Sequence, residues 1–482
     1  MKFYGFLLLW SLLSWGLDAN PGIKLKITLT GLDCGKQFGI EFLQQQLKEA
    51  IFEDIRGQES TGLGKLDYTV SRLKVINIDF PNTSVTLIPG FGINLLFEDA
   101  TAAVTADWKI KSWMFTRSGS VSINISRVLI SAIAVVSRDD DTGHPSLQFA
   151  SCQANIRVLN IKMDGQTSWF IKLFSGYLEK SIRNVLNGNL CQYISDEIQR
   201  INTKFREYPV LTQIDNFAQI DNTMVKSPTI FETHINLDLK GTIYPADKIS
   251  EPPFEAASFV LPDINHSMLY IGLSEYFFQS ASVAYYTSGA FNVSTGEKLS
   301  SYFNFTTDTF GSIIPTIAER YAEPYPVMMN LLATAAPVIT LHRGRFNLEF
   351  IGSMEVLAVL PNSTAQSLFI LKITADTHTS LTIFEDELIP TICLDSFQLS
   401  LANSNVGIFR VSLLENLLTY VLQNGVIPAV NAKLKDGFPL PYMDKLSLVE
   451  PAVKIHKGYL LISTDISFDH KAREHLESSE RL

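Results

Sequence analysis

The sequence predicts an α+β protein built as two related domains, and three observations carry that expectation. The chain has 482 residues, more than one ordinary core absorbs. Stretches with the apolar periodicity of helices alternate with stretches of strand alternation. The order helix, strands, helix then recurs after a turn-rich segment, YPADKISEPPFEAASF at residues 244–259, without a residue-level repeat.

The elements follow in order. Residues 1–19, MKFYGFLLLWSLLSWGLDA, place Lys2 before an apolar run from Phe3 to Trp15 and end in small residues, which predicts a secretory signal and a soluble, exported mature chain. The first helix, GLDCGKQFGIEFLQQQLKEAIF, aligns Leu32, Phe38, Phe42, Leu43, Leu47 and Ile51 on one stripe. Strands such as VSINISRVLISAIAVV follow, and RDDDTGHP (138–145) is a hairpin turn; its adjacent carboxylates lack the alternating oxygen ligands of a calcium loop. The second helix, from Ser168, aligns Phe170, Leu173, Phe174, Tyr177, Leu178, Ile182, Val185 and Leu186. These elements define a first domain over 20–243, with 244–259 as a proline-containing linker. In a second domain over 260–469, LSEYFFQSASVAYY predicts a short helix, SLFILKITADTHTSLTIF strands, and VSLLENLLTYVLQNGVIPAVNAKLKDG a long helix with Leu414, Leu417, Leu418, Val421 and Leu422 on one side. EDELIP (385–390) is a solvated loop, and 470–482 is a disordered or weakly helical tail. Each apolar stripe reports burial, not what it is buried against.

Composition narrows the function. Hydrophobic residues make up 46% and charged residues 18%, with a net charge of −10. Lys and Arg number 21 against 20 Asp and Glu over residues 20–217, and 17 against 28 from 218 onward, so neither half offers the basic surface that nucleic acid requires. Of the cysteines at 34, 152, 191 and 393, the pair closest in sequence, Cys152 and Cys191, is the expected bridge, leaving Cys34 and Cys393 free or joined to each other. Asn82, Asn124, Asn265, Asn292, Asn304 and Asn362 head glycosylation sequons. The sequence contains no nucleophile elbow, zinc-binding helix or phosphate-cradling loop, and its eight histidines are scattered, so neither an enzyme nor a metal protein is expected.

One ribbon, DWKIKSWMFTR (107–117), threads Trp108, Trp113, Met114 and Phe115 with Lys109, Lys111 and Arg117. It has two readings: a tip strand whose aromatics touch a membrane surface, or a strand with Trp108 and Ile110 packed inward and its cations solvated.

Longer motifs carry a resemblance. PVLTQIDNFAQIDNTMV from Pro209, SMLYIGLSEYFFQSASVAYY from Ser267, VLPNST from Val359 and DGFPLP from Asp436, between NPGIKLKIT at Asn20 and LLISTDI at Leu460, resemble the family of bactericidal permeability-increasing and lipopolysaccharide-binding proteins. The cholesteryl ester and phospholipid transfer proteins are more distant relatives. The resemblance implies an elongated boomerang of two barrel-like domains, each a twisted antiparallel sheet wrapped around helices, joined by a central sheet. It implies a disulfide between Cys152 and Cys191. It also implies an apolar pocket in each domain for phospholipid acyl chains, with Phe38, Phe42, Leu43, Leu47, Phe170, Leu173, Phe174, Tyr177, Tyr276, Phe277, Leu414 and Leu418 as lining candidates. Bound phospholipid is the expected occupant, with no other cofactor, and a monomer touching membrane or vesicle surfaces peripherally is the expected state.

In the bactericidal relatives a basic first-domain tip recognises the phosphates of lipid A, so lipopolysaccharide is the alternative ligand. Here Lys109, Lys111 and Arg117 form a partial set, and the carboxylates of QLKEAIFEDIRGQES (46–60), Glu49, Glu53, Asp54 and Glu59, are expected beside it and opposed to it.

Overall fold

A computed structural model describes residues 19–61, 64–164, 168–294, 305–361, 363–384, 387–439 and 446–468. The predicted signal before residue 19, the tail after 468, and the sequons at Asn304 and Asn362 lie outside them.

Long alternating stretches become long antiparallel strands. In the N-terminal half, Ile55–Thr61, Gly64–Asp79, Gly92–Lys111, Thr116–Arg138 and Pro145–Met163 pair in that order, with Asn82–Ile88 paired to Gly92–Lys111. Their inward side chains, including Leu66, Val70, Ile110, Val121 and Ile123, form the N-terminal core. The ladders shift register at Ser71/Lys74 and Phe97/Ala100, and Arg72, Asp99 and Arg127 adopt positive φ in the middle of their strands. Bulges of this kind bend a strand and raise its twist, which curls the sheet around its helices. The C-terminal half repeats the design: Val327–Ala333, Arg345–Val359, Ala365–Phe384 and Glu387–Ser404 pair in order, with Val338–His342 on Arg345–Val359. Its shifts fall at Val356/Leu357, Ile370/Leu371 and Asp376/Thr377.

A central sheet joins the halves. Ile23–Thr28 pairs on one side with His234–Leu239 and on the other with Leu269–Ser274, which pairs with Tyr459–Phe468, then Leu446–His456. Ile23, Ile271, Leu273, Leu460 and Ile462 seal it, so a chain-start strand and the last hairpin share one core. Between Pro245 and Leu269 the chain has no strand or helix. It is pinned to the central sheet by Phe259 and Leu261 against Tyr270 and Leu461, and by the buried Lys26, whose Nζ donates to the carbonyls of Pro262 (3.2 Å) and Ile264 (2.9 Å).

Helices cover the inner faces and edges. α1 (Leu29–Glu49) starts where Thr28 caps the Gly31 amide, and α2 spans Ser168–Glu207. α3 (Glu275–Thr287) is capped by Ser274. The short helices α4 (Thr307–Gly311) and α5 (Pro315–Arg320), which the sequence reading missed, bring Phe310, Ile314 and Ile317 into the C-terminal core. α6 (Ser412–Val421) passes through a π turn at Leu422–Val426 into α7 (Ile427–Leu434) with helical backbone at both junctions, so the long helix expected there is present and carries a π bulge in its middle. The solvated loop expected at 385–390 is corrected too: Glu387–Pro390 opens a strand, because Leu388 finds a buried place in the central core.

Candidate functional site

The N-terminal sheet curls over two helices that it treats differently. α2 lies along the edge strand Pro145–Met163, where Leu178 and Ile182 are fully enclosed and Val185, Leu186, Leu190 and Ile194 pack on the same core. α1 lies on Gly64–Asp79 and Asn82–Ile88, and its apolar stripe is only partly closed over: Leu32 packs on Leu87, Ile230 and Ile235, and Leu32, Phe38, Leu43 and Leu47 are all half-buried. A helix that keeps apolar residues inside a curled sheet without burying them leaves a flank able to accept more apolar matter. The side chains of Phe42, Phe170, Leu173, Phe174 and Tyr177 lie outside the described residues.

The C-terminal candidates are placed otherwise. Leu414 and Leu418 are enclosed in the core with Phe310, Phe369 and Val406. Tyr276 is buried against the linker, its ring edge-on to Phe254 and its hydroxyl 2.9 Å from the Thr242 hydroxyl; burial raises its pKa. Phe277 packs edge-on to Phe278 beside the central core. The described residues thus give Leu414, Leu418, Tyr276 and Phe277 packing partners within the protein itself.

The hairpin over 107–117 resolves its two readings residue by residue. Trp108 is corrected as a surface residue: only 5% exposed, it packs in the N-terminal core and its indole N–H donates to the Ser120 carbonyl at 3.1 Å. Strand alternation buries Ile110 with it and turns Lys109 and Lys111 outward. Phe115, at the far side of the turn, is half-buried against the same core. Trp113 and Met114 stand at the turn, 81% and 59% exposed, with the indole of Trp113 beside Gly64. Lys65, missed by the sequence reading, and Arg117 are exposed nearby. The ladder Ile55↔Val70↔Trp108 also moves the acidic segment: Glu49, Glu53 and Asp54 precede Ile55, six residues or about 20 Å along the strand from the Thr61 turn. Of the expected opposing carboxylates, Glu59 alone lies toward the tip; Asp67 stands opposite Lys111 and accepts from Gln58 at 2.7 Å.

Cys152 and Cys191 form a disulfide that ties the edge strand to α2; Cys34 and Cys393 are free thiols. Burial, aided by Asp465, raises the pKa of Cys34, whose thiol points to the Ile466 carbonyl at 3.6 Å. At the start of the linker, Lys240 bonds both the Tyr244 hydroxyl (2.6 Å) and Glu251 (2.8 Å), and burial pushes the Tyr244 phenol up to about 12. The acceptor asparagines Asn82, Asn124, Asn265 and Asn292 are all exposed.

A cavity of about 480 Å³ opens on the C-terminal sheet among Thr340, Arg345, Asn347, Glu349, Asp376 and Asp395. Asp395 is held by Arg345 (2.6 Å) and by His378 Nδ1 (2.6 Å), and the hydrogen bond from His378 is the first cause of its lowered pKa. These polar walls do not suit an acyl chain. Among the described residues no group of His, Cys, Asp or Glu is disposed to hold a metal, and no helix is long and apolar enough to cross a membrane.

Comparison with known proteins agrees with this architecture. Residues 31–201 match the model of the LBP / BPI / CETP family N-terminal domain, and 212–468 that of its C-terminal domain. The chain is 36% identical over 476 residues to the BPI fold-containing family C protein of Homo sapiens, covering 98% of this chain and 94% of that one. It is 32% identical over 470 residues to the bactericidal permeability-increasing protein of Sebastes schlegelii, covering 96% and 98%. The crystal structure of a lipopolysaccharide binding protein superposes with a TM-score of 0.61 at 25% identity, covering 93% of this chain and 99% of that one.

Proposed function

The chain belongs to the LBP/BPI/CETP family, and from that premise we propose that it is a secreted, glycosylated lipid-binding protein that holds phospholipid acyl chains against its inner helices and carries them between surfaces. The observation that carries this reading is α1, whose Leu32, Phe38, Leu43 and Leu47 stay half-buried beneath a curled sheet. The physical reason such a flank is useful is the cost of exposing lipid to water. At about 0.8 kcal/mol per methylene, a two-chain lipid of roughly 30 methylenes forfeits on the order of 20 kcal/mol on leaving a membrane, and apolar protein contacts recover most of it. Binding alone does this, so the reading includes no covalent chemistry.

Contact with the donor surface falls to the hairpin tip. Trp113 and Met114 supply exposed apolar surface, Lys65 and Lys111 lie nearest them, and Lys109 and Arg117 follow further along the strands, Lys109 level with Arg56. The displacement of Glu49, Glu53 and Asp54 from this tip favours a second reading, in which the tip takes lipid A phosphates.

Native mass spectrometry of the secreted protein, after incubation with vesicles holding phosphatidylcholine and lipid A in equal amounts, tests both. One phosphatidylcholine per domain, undisturbed by lipid A, is expected. Preferential retention of lipid A, lost at high salt, would establish the second reading instead.

A further inference from the structure

α2 is anchored on its two flanks by different means. Toward the Pro145–Met163 strand it is held by the Cys152–Cys191 disulfide, by Asn187 accepting from the Ile156 amide (3.1 Å) and Arg183 donating to the Ile156 carbonyl, and by Asn202 bonded to both backbone groups of Leu147. Toward the opposite edge of the sheet, Ile55–Thr61, the described side-chain ties are few. Phe52 meets Tyr193 edge-on at 6.1 Å between ring centroids, and the Tyr68 hydroxyl donates to Ser181 at 2.5 Å. The first flank is covalent and carries a ladder of hydrogen bonds; among the described residues the second shows an aromatic contact, a hydroxyl pair and the core packing of Leu178 and Ile182.

Beside that weaker seam, α1 ends. Leu43 and Leu47 are half-buried, the helix ends at Glu49 with Ala50 extended, and Ile51, beyond that end, is 99% exposed just before Phe52. The half-buried apolar residues of α1 are thus followed, just past its end, by an exposed isoleucine beside the seam. A fully exposed isoleucine there has no packing role that explains it.

We propose that the seam between α2 and the Ile55–Thr61 edge is the entrance through which acyl chains reach the N-terminal half, with Phe52 against Tyr193 as its closing contact and Ile51 as the first residue a chain meets. This rests on the lipid-holding reading given above. Opening breaks the Phe52–Tyr193 contact and the Tyr68–Ser181 hydrogen bond and loosens the core face of α2 at Leu178 and Ile182, while the disulfide side stays in place, so the helix swings like a door on its welded edge. Tyr193 lies two residues from Cys191, which keeps the closing contact in register with the hinge side.

The test is stopped-flow transfer of a tail-labelled phosphatidylcholine between vesicles and the full secreted chain, paired with native mass spectrometry for lipid bound at equilibrium. Phe52→Ala is expected to speed both uptake and release about threefold to tenfold while the lipid bound per chain is unchanged. Ile51→Glu, whose side chain touches nothing that folding needs, is expected to slow uptake about tenfold by placing a carboxylate beside the seam. Unchanged rates in both variants, with lipid still bound, would overturn the entrance alone. A loss of bound lipid at unchanged rate constants would reduce Phe52 to a packing residue and overturn it likewise. A wild-type chain that takes up no phosphatidylcholine would remove the lipid reading and the entrance with it.

Discussion

The two halves protect the open edges of Pro145–Met163 and Glu387–Ser404 by one shared device and one that only the first half has. In the N-terminal half, the Leu147 amide donates to Asn202 Oδ1 (2.8 Å) and Asn202 Nδ2 donates back to the Leu147 carbonyl (2.7 Å). In the C-terminal half, Asn431 of α7 does the same to Ile392, at 2.8 and 2.9 Å. A carboxamide carries a donor and an acceptor side by side, so it substitutes for a neighbouring strand at one position of an edge. The repetition shows that the halves are related in hydrogen-bond detail as well as in element order. Only the N-terminal half adds a disulfide, and its α2 is an α-helix of 40 residues; the C-terminal cover runs from Ser412 to Leu434 and carries a π turn at Leu422–Val426. The asparagines thus satisfy the edge, and the disulfide does something further: it makes one flank of α2 immobile.

The sharpest way to break this comparison is to remove the covalent link. The Cys152→Ser/Cys191→Ser double variant is expected to lose about 2–4 kcal/mol of stability, confined to the N-terminal half. Hydrogen exchange read by mass spectrometry checks the confinement: protection should fall along α2 and Pro145–Met163 and hold across Ala365–Phe384. An equal fall in both halves would mean that they unfold as one unit and that the disulfide is no local weld.

A smaller effect tests the shared device. Asn202→Ala and Asn431→Ala each leave an edge amide and carbonyl without partners, at about 1–3 kcal/mol apiece. Similar losses in the two variants, read by chemical denaturation, would establish equivalence. A loss from Asn431→Ala alone would show that the disulfide has made Asn202 redundant.

How much of this was legible beforehand follows from which interactions leave a local trace. Helices and long strands write a period into the sequence, so α1, α3, the start of α2 and the Thr116–Arg138 strand were placed within a few residues. The Asn202 and Asn431 clamps left no trace, because an asparagine on a helix reads as surface until the facing strand is known. Trp108 was misplaced for a related reason. The ribbon's alternation was visible, but which face turned inward depended on the pairing with Val70 and Gly119. The carboxylates of residues 46–60 read as one group beside the tip, whereas the strand Ile55–Thr61 carries Glu49, Glu53 and Asp54 away from Glu59. The half-buried stripe of α1 is the hardest case, since a periodicity cannot distinguish a filled core from an unfilled one.

The smallest expected effect concerns acid, and it treats the halves alike. Each contributes one histidine of lowered pKa to the central sheet. His234 is lowered by burial and by Lys26. His456 is lowered by burial, Lys454 and Arg343, with its Nε2 buried and unbonded and its ring stacked on Tyr459 at 4.8 Å. The sign follows from proton count. Between the lowered folded value and the unfolded value of about 6.5, the unfolded chain binds more protons, so stability is present above that window and lost as pH falls through it. His234→Gln and His456→Gln are each expected to flatten part of the fall in Tm between pH 7.5 and 5.0, by similar amounts. If one variant removed the whole slope, acid would act on a single half. The central sheet would then be the place where the two halves differ most, despite the strands they share in it.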